Sequence, residues 1–297
     1  MLYLKWTLSV TLLSLSLLSA NSHAEQSYQV EITGGYEKED ADTSTDKSTI
    51  LGAEIYFLPV NIENKPLAEA AFLDKSSSVI IGYIKLKSDL QNSSINSIDA
   101  SGPLFAINYV TKTDAFILGA VYSTQDVEVD PNVITSDIKT TGIEIGKYLN
   151  DSSAIRFTYM NSDTEIRSTV SSLTANLDID FYKLAYKTVQ PLNATSYYLF
   201  SAGIELIKKN DSSSVKEDNN ELSILGEYYF TRMTSLGAGA SFNSGDDISD
   251  EGKTFGIGGT HFFTQQIALN IIWSTFIADD SQTEDTDSIS IDVIARF

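Results

Sequence analysis

The chain has 297 residues, with 40 acidic against 20 Lys plus Arg for a net charge of −20, and no Cys. That charge excludes a nucleic-acid partner, which needs a basic face, and the missing thiols exclude disulfide staples. Tyr (15) and Phe (14) abound while Pro (5) is scarce, a bias toward sheet.

Residues 1–24 read as a secretory signal peptide. Lys5 supplies a positive start, Trp6–Leu18 ("WTLSVTLLSLSLL") an apolar stretch, and Ser22 and Ala24 the small residues of a cleavage site. The apolar stretch is shorter than the roughly 20 residues a spanning helix needs. The remaining chain, 25–297, is expected to act as one domain outside the cytoplasm, since no Gly/Ser linker divides it.

From there the apolar residues recur with period two, the mark of strands with one apolar face. Tyr28, Val30, Ile32 and Tyr36 share one parity, and Leu51, Ala53, Ile55 and Phe57 another. Ile155, Phe157 and Tyr159 alternate with Arg156 and Thr158; Tyr198, Phe200, Ala202, Ile204 and Leu206 with Glu205. Fourteen strands are predicted near 27–37, 48–58, 77–87, 99–110, 115–125, 138–149, 154–161, 176–187, 195–207, 221–231, 235–243, 253–263, 266–277 and 287–297. Mean hydropathy is −0.07, which leaves a soluble sandwich and a transmembrane barrel both open.

The connections favour the barrel. Tight turns such as 111–114, 150–153, 231–235 and 264–266 alternate with longer polar stretches such as 208–220 and 278–287. Short turns on one rim and long loops on the other describe an outer-membrane barrel with its periplasmic and extracellular ends. The long stretches hold most of the acidic residues and few of the basic ones. Simple solvation accounts for charge there, but not for its sign. Tyr56, Phe57, Tyr148, Tyr182, Tyr228, Tyr229, Phe230, Phe262 and Phe263 gather at predicted strand ends, as aromatic girdles or as ordinary cross-strand packing.

The last strand, "SISIDVIARF", puts Ile289, Ile291, Val293, Ala295 and Phe297 on one parity. It resembles the assembly signal of Gram-negative outer-membrane barrels, which the insertion machinery reads. A second resemblance lies in the one long connection on the short-turn side, 59–76. "YFLPV" (Tyr56–Val60) followed by "PLAEAAFL" (Pro66–Leu73) is similar to a porin family of gammaproteobacterial outer membranes. The resemblance implies fold and location, not a substrate. Pro66 and the alanines predict a short helical turn, which either tucks beneath the barrel or acts as a plug.

Candidate chemistry is thin. His261 stands alone after His23 leaves with the signal peptide, and no nucleophile motif surrounds it, so an interfacial girdle position is expected. Asp246, Asp247, Asp250 and Glu251 offer weak divalent binding, yet they are no EF-hand: the twelfth position from Asp247 is Gly258, not Glu. Gly256–Gly259 lacks the helix and Lys of a phosphate loop. No catalytic residue and no cofactor are expected.

If apolar side chains face lipid, the opposite parity lines the interior. That assigns Glu31, Glu54, Lys85, Lys87, Glu144, Arg156, Asp178, Asp180, Glu205, Glu227, Asp292 and Arg296 to the lumen. Charged walls imply water. In 177–183 the parity of Leu177, Ile179 and Phe181 turns Lys183 toward lipid, which calls for a bulge near Phe181–Tyr182 or a different placing of the strand. Lys147 also has outward parity and is expected to snorkel.

The expectation is therefore an all-β transmembrane antiparallel up-and-down β-barrel of about 14 strands, with 12 to 16 open. Its predicted function is passive diffusion of small hydrophilic solutes through a water-filled, mildly cation-preferring pore. The alternative is a structural or adhesive barrel with a closed lumen. Expected partners are outer-membrane lipid, lipopolysaccharide bridged by divalent cations to the acidic loops, and the barrel assembly machinery. Trimerisation stays open.

Overall fold

A computed structural model describes residues 26–91, 95–131, 134–168, 174–211, 216–245, 251–279 and 284–297. The predicted signal peptide and Asp246, Asp247 and Asp250 lie outside the described residues. The strands are β1 (Ser27–Asp40), β2 (Ser44–Asn61), β3 (Ser78–Leu90), β4 (Ser97–Val110), β5 (Phe116–Asp130), β6 (Ile134–Asn150) and β7 (Ser153–Ser168). They continue with β8 (Thr174–Pro191), β9 (Tyr197–Asp211), β10 (Lys216–Thr231), β11 (Thr234–Gly245), β12 (Gly252–Phe262), β13 (Ile267–Ala278) and β14 (Thr286–Arg296). Each pairs antiparallel with its sequence neighbours, and β1 pairs with β14 to close the barrel. Between β2 and β3 lie a 3-10 turn (Leu67–Glu69) and one turn of helix, α1 (Ala70–Leu73).

Closure follows from the alternating pattern. A sheet with one continuous apolar face and no edge satisfies every backbone group without water, which a lipid interior demands. Leu51, Tyr83, Phe105, Ile143, Ile204, Ile257, Trp273 and Val293 are among the exposed outward residues, and such a belt has to be covered by lipid. No described helix is long and apolar enough to cross a membrane; the strands do so.

The strands are longer than predicted. β2 and β8 each run 18 residues, about 60 Å at strand rise, against an apolar band of about 25 Å. Much of what the sequence suggested as long loops is strand continuing past the membrane. Only 41–43 separate β1 from β2.

That extension corrects four lumen assignments. Lys85 lies opposite Thr49, which lies opposite the exposed Tyr36, so it points outward. Lys87 is in one row with Lys47, Lys38 and the outward Ile289. Asp180 accepts a 2.8 Å hydrogen bond from the hydroxyl of outward-facing Tyr159, and Asp178 shares its parity. Above the membrane the outer surface meets water, so charge belongs there, and apolar side chains turn inward instead. Ile98, Ala100, Val127, Val129 and Ile138 accordingly form a buried cluster inside, with Asp99, Asp126 and Glu128 behind them. The period of two continues while the polarity of both faces inverts.

The bulge expected near Phe181–Tyr182 is absent, for the same reason. β8 keeps an unbroken register with β7 and β9. Leu177, Ile179, Phe181 and Lys183 all point inward. A register shift occurs instead between Tyr28 and Val30, where the carbonyl of Phe297 accepts from both Gln29 N–H (2.8 Å) and Val30 N–H (3.0 Å). It turns Tyr28 inward, away from the parity of Val30, Ile32 and Tyr36. Lys147 is outward as expected, with its ammonium 4.9 Å from the Phe116 ring.

Candidate functional site

Of the residues assigned to girdles, Phe57, Tyr228, Phe230 and Phe263 are outward and exposed, while Tyr56, Tyr148, Tyr229 and Phe262 are buried. These four face the interior at the short-turn mouth, where they seat the segment 62–77.

The segment is built to turn back on itself. Asn64 and Lys75 adopt left-handed backbone (φ 53 and 54), and Pro66 at φ −59 leads into the 3-10 turn. The Asp74 carboxylate ties its two ends, accepting from Asn61 N–H (2.9 Å) and Lys65 Nζ (2.6 Å). Pro66, Leu67 and Ala70 are buried.

Its partners ring the mouth. Leu67 packs with Tyr28, Tyr56, Phe262 and Ala268, from β1, β2, β12 and β13. Phe72 and Leu73 pack on Val189, Tyr197, Leu199 and Tyr229, from β8 to β10. Leu67 N–H donates to the Arg232 carbonyl (2.8 Å), and Arg232 Nε donates back to Lys65 O (2.8 Å). Tyr197 donates to Asn64 O (2.7 Å) and Tyr148 to Phe72 O (2.9 Å). Burying Leu67 alone contributes about 2 kcal/mol, and each backbone hydrogen bond adds about 1 kcal/mol. The segment is held across the mouth, not beside it.

Two charged contacts complete the seat. Glu69 Oε2 lies 2.6 Å from Lys187 Nζ, a close ion contact, with the Tyr229 hydroxyl 3.4 Å from its other oxygen. Arg296 pairs with Glu31, donates to Leu67 O (2.7 Å) and is sandwiched between the rings of Tyr28 (4.4 Å) and Phe262 (4.7 Å). Outside the mouth, Lys75 Nζ is 2.8 Å from Asp151 in the β6–β7 turn. That ammonium holds the Asp151 carboxyl below the usual carboxylate range.

Above the segment, one inward row crosses the wall from Glu144 through Thr158, Lys183, Glu205 and Glu221 to Asn243. Arg156 lies 3.0 Å from Glu144, and Lys183 2.8 Å from Glu205. Glu54 accepts from Ser78 (2.6 Å), and Asp292 from Asn270 (2.9 Å); Glu227 also points in. Of the twelve predicted lining residues, Glu31, Glu54, Glu144, Arg156, Glu205, Glu227, Asp292 and Arg296 face the interior. Lys183, Lys187, Glu69 and Glu221 were missed. A parity count within β8 from the outward Leu184 finds Lys183 and Lys187, but Glu69 lies in no strand.

The remaining candidates fall outside this site. His261 is exposed, 2.9 Å from the Thr234 hydroxyl and edge-on to Phe263. Among the described residues no group of three or more potential ligands is placed to hold a metal ion.

A family model described as "Putative general bacterial porin" matches residues 1–297. Among solved structures, the outer membrane protein Omp33 of Acinetobacter baumannii is 18% identical, with a TM-score of 0.61 over 92% of this chain and 99% of its own. The Pseudomonas putida toluene transporter TodX is 9% identical, with a TM-score of 0.53 over 90% of this chain and 89% of its own. At these identities the likeness is one of fold. No curated protein sequence matches significantly.

Proposed function

Because the chain belongs to the general bacterial porin family and forms an outer-membrane barrel, we propose that it passes small hydrophilic solutes by passive diffusion, with a mild preference for cations. The inward row of Glu144, Lys183, Glu205 and Glu221, with Arg156 beside Glu144, carries this reading. A charged wall needs water, since even a paired ion pays several kcal/mol of desolvation in a dry core. Carboxylates outnumber cations along the inner surface once Glu31, Glu54, Glu69, Glu227 and Asp292 are set against Lys187 and Arg296. The resulting field draws cations. Segment 62–77 sets the narrow end, at the periplasmic mouth.

The same reading makes the chain a channel and not an enzyme. Residues 1–24 direct export and are cleaved near Ala24. The insertion machinery reads Ile289, Ile291, Val293, Ala295 and Phe297, and the acidic outer loops share divalent cations with lipopolysaccharide. A structural barrel with a closed lumen is the second reading, favoured by how deeply Leu67 and Ala70 are buried across the mouth.

Single-channel recording in planar bilayers under a KCl gradient separates the two. The porin reading expects discrete conductance steps and a reversal potential of the cation-selective sign. A correctly folded barrel that stays silent would sink it.

A further inference from the structure

Three lysines stand side by side on the outer wall, in adjacent strands. Lys38 of β1 lies opposite Lys47 of β2, which lies opposite Lys87 of β3. With strands about 4.8 Å apart, the row is about 10 Å wide. Lys85 sits two residues nearer the membrane than Lys87 and is exposed. The exposed rings of Tyr36 and Tyr83 come next, each two residues from a lysine along its strand, about 7 Å at strand rise. The lysines thus stand just beyond the aromatic girdle, at headgroup level.

Like charges directly opposite one another destabilise a sheet, so the row requires anions. Asp40 contacts Lys38, while Asp89 contacts both Lys47 (2.7 Å) and Lys87 (3.1 Å). Both aspartates lie beyond the lysines, on the side away from the membrane. The lysine side chains keep 38% (Lys38), 39% (Lys47) and 43% (Lys87) of their surface exposed beside these partners. Elsewhere on this exterior the outward carboxylates Asp126, Glu128, Asp137, Asp163, Asp178 and Asp180 are mixed with single cations, Lys139, Arg167, Lys208 and Lys253, none in a row of three. A chain of net charge −20 with 20 basic residues has set three of them in one row here and a fourth directly beneath.

We propose that Lys38, Lys47, Lys85 and Lys87 form a docking site for the phosphates of an outer-leaflet phosphorylated glycolipid, whose acyl chains lie against Leu51, Tyr83 and the neighbouring apolar wall. This is direct contact, distinct from metal-bridged attachment through the acidic loops. It rests on the outer-membrane placement and not on whether the lumen conducts.

The test is binding of bis-phosphorylated lipid A to the full barrel in detergent, read by native mass spectrometry in the presence of EDTA. The wild type is expected to retain the lipid. A K38Q/K47Q/K85Q/K87Q variant should bind about tenfold more weakly or worse, while K147Q, on the periplasmic girdle, should bind as the wild type does. Heat-modifiable gel mobility confirms that each variant is folded. Dephosphorylated lipid A should bind neither form, and millimolar inorganic phosphate should not displace the lipid. Unchanged binding by the folded quadruple variant, equal binding of the dephosphorylated lipid, displacement by phosphate, or loss of wild-type binding in EDTA would each overturn the proposal.

Discussion

Removing either partner of the Glu69–Lys187 contact should unseat segment 62–77, but by very different amounts. The Lys187 side chain keeps 36% of its surface exposed, whereas Glu69 keeps 9%. In Glu69→Ala the orphaned ammonium hydrates where it stands, and the loss is about 1 kcal/mol. In Lys187→Ala a buried carboxylate loses its counter-charge, which costs about 3 kcal/mol or more. The ratio of unseated to seated segment should therefore rise about fivefold in the first variant and more than a hundredfold in the second. Glu69→Gln/Lys187→Gln, which leaves no charge behind, should fall back toward the first. The chain has no native Cys, so an Ala70→Cys background reports opening cleanly: Ala70 is fully buried, and maleimide reaches it only in the unseated state. Equal labelling rates for the two single variants, or a double variant as fast as Lys187→Ala, would refute the electrostatic account of the seat.

Other consequences are open to test. Glu144→Gln/Glu205→Gln removes two inward carboxylates and should move the reversal potential toward zero in a KCl gradient; movement toward greater cation preference contradicts the proposed wall. Deleting Phe297 removes its N–H bond to Val30 and the carbonyl that caps Gln29 and Val30, so the folded, heat-modifiable fraction in the outer membrane should drop severalfold. Asp151 has a lowered carboxyl pKa. Its contact with Lys75 should therefore be fully present above the ordinary carboxylate range and fade only as pH falls through the depressed value. Hydrogen exchange in 74–77 should then match between wild type and Asp151→Asn in strong acid and differ at pH 5 and above.

The strands were legible because a period of two survives any local irregularity, and the count of fourteen and their order came with it. What alternation cannot reveal is which face is wet at a given height. Parity places Asp178 and Asp180 in the lumen only if lipid surrounds the whole strand. Once β8 rises past the bilayer, water surrounds it and the assignment reverses. The bulge expected near Phe181 depends on the same condition, and β8 keeps its register without it. Tyr148 and Tyr229 look like girdle residues by composition, since an amphipathic ring suits a membrane interface and a buried hydrogen bond equally well. Their partners, Phe72 O and Glu69, lie far away in sequence. No local signal links them, so the placing of segment 62–77 across the mouth appears only when the chain is closed.

The seat for Leu67 has an order of events written into it. Arg296 comes from the last strand and Glu31 from the first, and the guanidinium that holds Leu67 is positioned only when those two strands are paired. A barrel whose seam is still open presents the segment with half a receptacle. Seating therefore waits on closure: the segment crosses the mouth only once the wall is complete, and the residue that completes its seat belongs to the strand that closes the seam.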